Sequence, residues 1–238
     1  MEAFKLTTLV ILGIIALMLF SIKGKAQTVQ IGTIVDVSLG SGSDQTVDSK
    51  ELFQAIIDRY NFADLNLARD YFSILCGQNT ISEVKRYRLI SSNYISTSRT
   101  KRRKQIANFL IGVKTDVNKL EDEPSNQGQT NFYRTLLTII KEFDPNSSSK
   151  HLIVYSDLCE NSSATSFNRF INDPSSIMSH YDKIIDDFSK DAPLPDLSGF
   201  TIDLITPGAN DFHLWVSRFW EKFLRSRGAV TVNVRASI

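Results

Sequence analysis

The chain has 238 residues and a formal net charge of +1, from 27 basic and 26 acidic side chains. Its length and its 42% hydrophobic content are sufficient for a core of ordinary size. The balanced charge argues against a dedicated nucleic-acid binder, which carries a strong basic excess. Two cysteines are too few for a disulfide scaffold or a four-cysteine zinc module, and the three histidines match no zinc-binding spacing.

The N-terminal segment differs from the rest of the chain. Residues 6–22 form an uncharged, mostly apolar run between Lys5 and Lys23. A basic start, an apolar stretch and the small-x-small sequence at residues 24–26 are typical of a signal peptide, which would be removed before Gln27. The run also lies within the lengths that a single membrane anchor tolerates. A buried helix of the fold is the third alternative. Either of the first two predicts an exported domain of residues 27–238, which is periplasmic, extracellular or anchored outside the cytoplasm.

Strands and helices alternate along the remainder of the chain. Strands are predicted where β-branched and apolar residues cluster, and helices where apolar residues recur at helical spacing. In chain order, the patterns predict a strand at 29–38, a helix from 48 or 49 to 60, strands at 71–76 and 84–90, helices at 97–120 and 130–143, a strand at 151–156, a short helical turn at 166–171, a helix at 178–189, a strand at 200–206, a helix at 211–225 and a strand at 230–234.

This order predicts an α/β fold with a doubly wound, mostly parallel sheet and helices on both of its faces. The two strands between residues 71 and 90 would form a hairpin that adds one antiparallel edge strand. In such folds, ligands bind outside the carboxyl ends of the strands, where the strand order reverses. The residues that follow the strands are therefore the first candidates for a site.

Oxygen-bearing side chains follow two of the predicted strands and precede one of the helices. Asp36 and Ser38 end the first strand, Thr130 begins a helix, and Asp157 follows the strand at 151–156. Carboxylate and hydroxyl oxygens are the ligands that Mg²⁺, Mn²⁺ and Ca²⁺ prefer. The same residue types also cap helices and fix loops, which is the alternative interpretation.

These residues resemble the metal-ion-dependent adhesion site of von Willebrand factor A-type domains, the family that includes the integrin inserted domains. The family pattern is Asp-x-Ser-x-Ser after the first strand, a Thr in a later loop and an Asp after the central strand. Asp36, Ser38, Thr130 and Asp157 match four of the five positions. The resemblance implies that the Ser and the Thr bind the metal directly and that the two Asp act largely through water.

The third position of the pattern departs from the family. It holds Gly40, which has no side-chain oxygen, while Ser41 follows one residue later and Ser43 three residues later. Ser41 is the candidate replacement, because a glycine-rich loop can adapt its course. Without it, water would replace the missing ligand and weaken metal binding.

The resemblance implies a protein-binding module for adhesion or assembly rather than an enzyme. One coordination position of the metal would be left for an acidic side chain of a protein partner. No nucleic-acid partner is expected, and the membrane would be contacted only through residues 6–22. Two alternatives stay open: a metal-assisted exported hydrolase that uses Asp36 or Asp157, and a metal-free scaffold, which Gly40 favours.

Three further features have simple structural interpretations. Cys76 and Cys159 would follow the strands at 71–76 and 151–156, which lie on either side of one shared neighbouring strand, about 10 Å apart, so buried thiols are favoured over a disulfide. The basic run at residues 99–104 is either a patch for an anion or a solvated helix start. The stripe that includes Trp215 and Trp220 is expected to pack in the core, and the neighbouring His213 is expected to be exposed.

Overall fold

The computed structural model describes residues 28–36, 48–60, 62–76, 83–92, 97–121, 130–206 and 210–235. The strands are β1 (Thr28–Asp36), β2 (Ala68–Cys76), β3 (Lys85–Leu89), β4 (Ser149–Tyr155), β5 (Phe200–Ile205) and β6 (Thr231–Arg235). The helices are α1 (Ser49–Tyr60), α2 (Arg99–Glu121), α3 (Phe132–Ile140), α4 (Ser176–Ser179), α5 (Tyr181–Asp191) and α6 (Asp211–Ser226), with a 3₁₀ turn at Phe167–Phe170.

The six strands form one sheet in the order β3-β2-β1-β4-β5-β6. Every neighbouring pair is parallel except β2 and β3, so β3 is the antiparallel edge strand. The doubly wound α/β fold and its antiparallel edge, both predicted from the sequence, are confirmed. The strand order reverses at β1: the chain adds β2 and β3 on one side of it and then β4, β5 and β6 on the other. The carboxyl ends of β1 and β4 therefore define the switch point of the fold.

Helices cover both faces of the sheet, which explains why β1 is buried along almost its whole length. Ile31 and Val35 belong to a core shared with α1 and α2. Ile34, on the opposite face, belongs to a core shared with α3, α5 and α6. The second core is rich in aromatic rings, and Trp220 packs edge-on against Phe132 with ring centroids 4.7 Å apart. The predicted apolar stripe of α6 is thus confirmed as a core face.

The predicted helix at 178–189 is interrupted. Two helices, α4 and α5, meet at His180, whose backbone leaves helical geometry (φ −100°, ψ 10°). One ring nitrogen of His180 lies 2.8 Å from the Ser176 carbonyl, so the side chain bonds back to the first residue of α4. Apolar periodicity continues across the break and does not reveal it.

The basic run at the start of α2 contains one structural residue among exposed ones. Arg102 is 2% exposed. Its guanidinium donates hydrogen bonds to the carbonyls of Leu65, Leu67 and Ile90. Arg99 and the other three basic residues of the run are exposed, and the hydroxyl of Ser98 caps the helix. The solvated helix start, with one arginine that holds two loops, is the interpretation that fits this arrangement.

The two cysteines carry thiols rather than a disulfide. Cys76 is buried at the end of β2, and Cys159 is half-buried in the segment after β4. In the described ranges, no helix is both long and apolar enough to cross a membrane. The apolar run at 6–22 lies outside those ranges, so a signal peptide or anchor stays a prediction.

Candidate functional site

The carboxyl ends of β1 and β4 are joined by a short chain of hydrogen bonds. Asp36, the last residue of β1, is 1% exposed. The Ser156 hydroxyl donates to its Oδ2 at 2.7 Å and accepts a bond from the Leu158 backbone N–H at 2.8 Å. Ser156 thus fixes the carboxylate of Asp36 relative to the segment that carries Asp157.

The segment after β4 turns sharply at Leu158. This residue has φ = 60°, in the left-handed region that is uncommon for a residue other than glycine. The turn is held on both sides: the Cys159 N–H donates to Asp157 Oδ1 at 2.8 Å, and the Trp220 indole donates to the Leu158 carbonyl at 2.9 Å. The local cost of about 1–2 kcal/mol is offset by these bonds and by the burial of Leu158. The turn brings Asp157 and Cys159 onto the same side of the segment.

Thr130 is connected to the same segment. It is buried just before α3, and its carbonyl accepts a bond from the Asn161 N–H at 2.8 Å. Glu160 Oε2 accepts a bond from the Tyr133 N–H at 2.8 Å, so Glu160 caps the start of α3. Three predicted site residues, Asp36, Thr130 and Asp157, therefore lie at one edge of the sheet. The other two, Ser38 and Ser41, lie outside the described residues, as does Gly40.

The carboxyl groups at this edge lie in surroundings that disfavour their ionised forms. Burial, reinforced by the charge of Asp36, raises the pKa of Asp157 to about 6. Burial raises the pKa of Glu160 to about 7, against the hydrogen bonds it accepts, and Asp36 adds to the shift. Both shifts have the direction expected for carboxylates crowded together away from water. A divalent cation placed among them would favour their ionised forms.

Cys159 and His213, which were not predicted to be site residues from the sequence, also lie at this edge. The ligand-type atoms of Asp157, Cys159 and His213 all lie within 4.8 Å of one another. His213 lies in the first turn of α6, and it is half-buried, contrary to the exposed position expected from the sequence. Its ring packs beside the segment after β4 because α6 follows β5, which is the neighbour of β4 in the sheet. The only signal available in the sequence was that both residues follow strands, and spacing along the chain could not show their contact.

The edge thus offers two overlapping sets of donor atoms. Asp36, Thr130 and Asp157 supply oxygen atoms only, which suit a hard cation such as Mg²⁺. Asp157, Cys159 and His213 supply oxygen, sulfur and nitrogen, which suit a softer cation. The donor chemistry and the crowded, buried carboxyl groups both fit the metal that the adhesion-site pattern implies.

No protein-family model matches the chain, and no curated protein matches it. Among solved structures, the chain is similar to an aerotolerance-related membrane protein from Bacteroides fragilis NCTC 9343 that carries multiple mutations to serines. The two chains are 11% identical, with a TM-score of 0.42. The similarity covers 87% of this chain and 91% of the other.

Proposed function

We propose that the chain is an exported, von Willebrand factor A-like binding module, which holds a hard divalent cation at the carboxyl edge of its sheet and uses it to bind a protein partner. One observation carries the proposal. At the switch point of a doubly wound sheet, the carboxylate of Asp36 at the end of β1 accepts a hydrogen bond from Ser156, the residue before Asp157, and the carbonyl of Thr130 accepts one from Asn161 in the same segment after β4.

The cation would be Mg²⁺, Mn²⁺ or Ca²⁺. Asp36, Thr130 and Asp157 would hold it together with Ser38 and Ser41, the two predicted ligands that precede α1. The bound ion would supply a positive charge with one position open toward solvent. A carboxylate of the partner would fill that position, because it is the hard anionic ligand that such ions prefer.

A binding role rather than an enzymatic one is supported by the two nucleophile-type side chains near Asp36. Ser156 is fully buried, and its hydroxyl donates a hydrogen bond to Asp36. Burial and the charges of Asp157 and Asp36 raise the pKa of the Cys159 thiol, which therefore carries its proton at neutral pH. Neither group is set up to attack a substrate while the edge is free of metal.

Export is the proposal that the apolar run at residues 6–22 supports. A processed signal would leave Gln27 as the first residue, and a retained run would anchor the domain outside the cytoplasm. Mass spectrometry of the native N-terminus separates these two cases. An intact N-terminus on a protein recovered from the cytoplasm would contradict both of them.

Calorimetric titration with Mg²⁺, Mn²⁺ and Ca²⁺ tests the metal site. We expect saturable binding at one site by the purified chain and a loss of at least about ten-fold in affinity in Asp36→Asn. Asp186→Asn is the matched control, because Asp186 is exposed on α5. The absence of binding by the native chain, or equal binding by Asp36→Asn, would overturn the proposed site.

The open coordination position has its own test. Acetate is the simplest stand-in for an acidic side chain of a partner. If it completes the coordination shell, acetate and Mg²⁺ must each raise the affinity of the other by the same factor. The titration is therefore repeated in acetate and in chloride at equal ionic strength. The same affinity for Mg²⁺ in both salts would argue against a carboxylate ligand from a partner.

A further inference from the structure

We infer that Asp157, Cys159 and His213 form a second metal site, for Zn²⁺ or a similar borderline-soft divalent ion, beside the proposed hard-cation site. The three ligand-type atoms lie within 4.8 Å of one another. In a tetrahedral zinc centre with bonds of about 2.0–2.3 Å, neighbouring ligand atoms are about 3.5 Å apart. A small contraction of the cluster is sufficient to surround an ion.

An unsatisfied ring nitrogen points independently to a ligand. Nδ1 of His213 is buried and has no hydrogen-bond partner among the residues that the structure describes. Leaving a buried polar atom without a partner costs about 1–3 kcal/mol. The backbone N–H of the same residue is bound to the Asn210 side chain at 2.9 Å, so the start of α6 is held in place while Nδ1 is left without a hydrogen-bond partner. A metal ion bound through Nδ1 would satisfy this nitrogen.

The surrounding structure holds the cluster in place before any ion binds. The Trp220 indole ties α6, which carries His213, to the carbonyl of Leu158, which lies between the other two ligands. The left-handed turn at Leu158 directs Asp157 and Cys159 to one side, and the Cys159 N–H fixes Asp157 Oδ1. Such supporting bonds orient metal ligands and limit the entropy lost on binding.

The ligand set selects the class of metal. A thiolate and an imidazole are poor ligands for Mg²⁺ and Ca²⁺ but good ones for Zn²⁺, Co²⁺ and related ions. On binding, the Cys159 thiol releases its proton to solvent and forms the sulfur–metal bond, His213 donates a ring lone pair, and Asp157 binds as a carboxylate. Three protein ligands leave the fourth position of a tetrahedral ion for water or an external ligand.

This site is distinct from the hard-cation site, although Asp157 belongs to both. Cys159 and His213 take no part in binding Mg²⁺, and Asp36 and Thr130 take no part in binding Zn²⁺. The two sites therefore fail independently when the residues unique to each are changed.

Co²⁺ is the probe that separates the two sites, because a cobalt–thiolate bond gives a sulfur-to-metal charge-transfer band and oxygen ligands do not. We expect the purified full chain to develop this band up to one Co²⁺ per chain and to lose it when Zn²⁺ is added. Cys159→Ser abolishes the band, and His213→Gln weakens binding by about ten-fold or more. The matched controls Cys76→Ala and His180→Gln keep the band, as does Asp36→Asn.

A native chain without the band, or a band that survives in Cys159→Ser, overturns the inference. A native chain that develops the cobalt band but does not bind Mg²⁺ contradicts only the proposed adhesion site.

Discussion

At the scale of single residues, Gly32 shows how closely the turn after α3 approaches β1. A Cβ atom added to Gly32 would lie 2.8 Å from Cζ of Phe143, inside van der Waals contact. The Phe143 ring cannot easily move away, because it packs against Phe72 at 5.3 Å and Phe200 at 4.8 Å between ring centroids. The absence of a side chain at this position is therefore a packing requirement of the fold.

Gly32→Ala is expected to lower the free energy of unfolding by about 1–3 kcal/mol, the usual cost of overpacking a core. Denaturant titration measures the change. Phe143→Leu supplies the matched second variant of a double-mutant cycle, since it removes the ring that the new methyl group would meet. Additive effects of the two substitutions would show that this contact is not the cause.

His151, in β4, makes the stability of the chain depend on pH. Burial, together with the positive charge of Arg59, lowers the pKa of His151 below its ordinary value of 6.5, although Asp203 acts in the opposite direction. The folded state thus binds its proton less readily than the unfolded state. The resulting stability is present above about pH 6.5 and is lost as the pH falls through the folded pKa.

We expect His151→Gln to lose less stability than the native chain when the pH is lowered from about 7 to about 5. Thermal unfolding of both proteins across this range measures the difference. His180→Gln, which changes an exposed histidine, is the control for the loss of one imidazole. A profile for His151→Gln that runs parallel to the native one would exclude this residue as the cause.

At the scale of elements, α3 depends on a cap supplied from another part of the chain. Asn131, at its N-terminal boundary, makes no side-chain capping bond, and Glu160 accepts the Tyr133 N–H instead. Since Glu160 follows β4, it joins α3 to the segment that carries Asp157 and Cys159. Removal of this carboxylate therefore affects both the helix and the position of Thr130.

Glu160→Ala is expected to destabilise the fold by about 1–3 kcal/mol, because it leaves the start of a buried helix without its acceptor.

Glu160→Gln keeps an acceptor oxygen and avoids burying a charge. The raised pKa of Glu160, about 7, means that its stabilising contribution is present below its ordinary value of 4.5 and is lost as the pH rises through about 7. The advantage of Gln over Glu should therefore grow with pH.

Denaturant titrations at about pH 5 and pH 8 in the presence of a chelator measure this trend. Glu221→Gln, on the outer side of α6, is the control for the loss of one carboxylate. A difference between Glu160→Gln and the native chain that shrinks with rising pH would have the wrong sign for a buried carboxylate.

At the scale of the whole molecule, a bound cation would link the ends of β1 and β4 to the start of α3. An ion that binds only the folded chain stabilises it by about 2.7 kcal/mol at 100 times its dissociation constant. For a chain of this size, that corresponds to a rise in Tm of about 5–11 °C. Scanning calorimetry with and without Mg²⁺ measures the rise, and Asp36→Asn should show little of it. An unchanged Tm at saturating Mg²⁺ would count against the site.

The sequence was sufficient to predict the layers of the fold and the sheet edge at which Asp36 and Asp157 lie, for the same physical reason. Strands buried on both faces have a distinctive composition, and residues that follow parallel strands meet at one edge. Asp36 and Asp157 could be placed by that rule, whereas Thr130 was a candidate through the resemblance to the adhesion-site pattern. The break at His180 and the proximity of His213 to Cys159 could not, because each depends on side-chain contacts that leave apolar periodicity unchanged.

The hydrogen bond from Trp220 to Leu158 gives the molecule an optical reporter of its own. Trp220 is fully buried, and its indole N–H donates to the carbonyl of Leu158, at the left-handed turn after β4. The emission of an indole depends on the polarity and hydrogen bonding around its ring, so ordering or release of that turn changes the intrinsic fluorescence. With Trp215 replaced by Phe, Trp220 would be the one tryptophan left, and its fluorescence emission would report conformational changes at the carboxyl edge in real time, without any label.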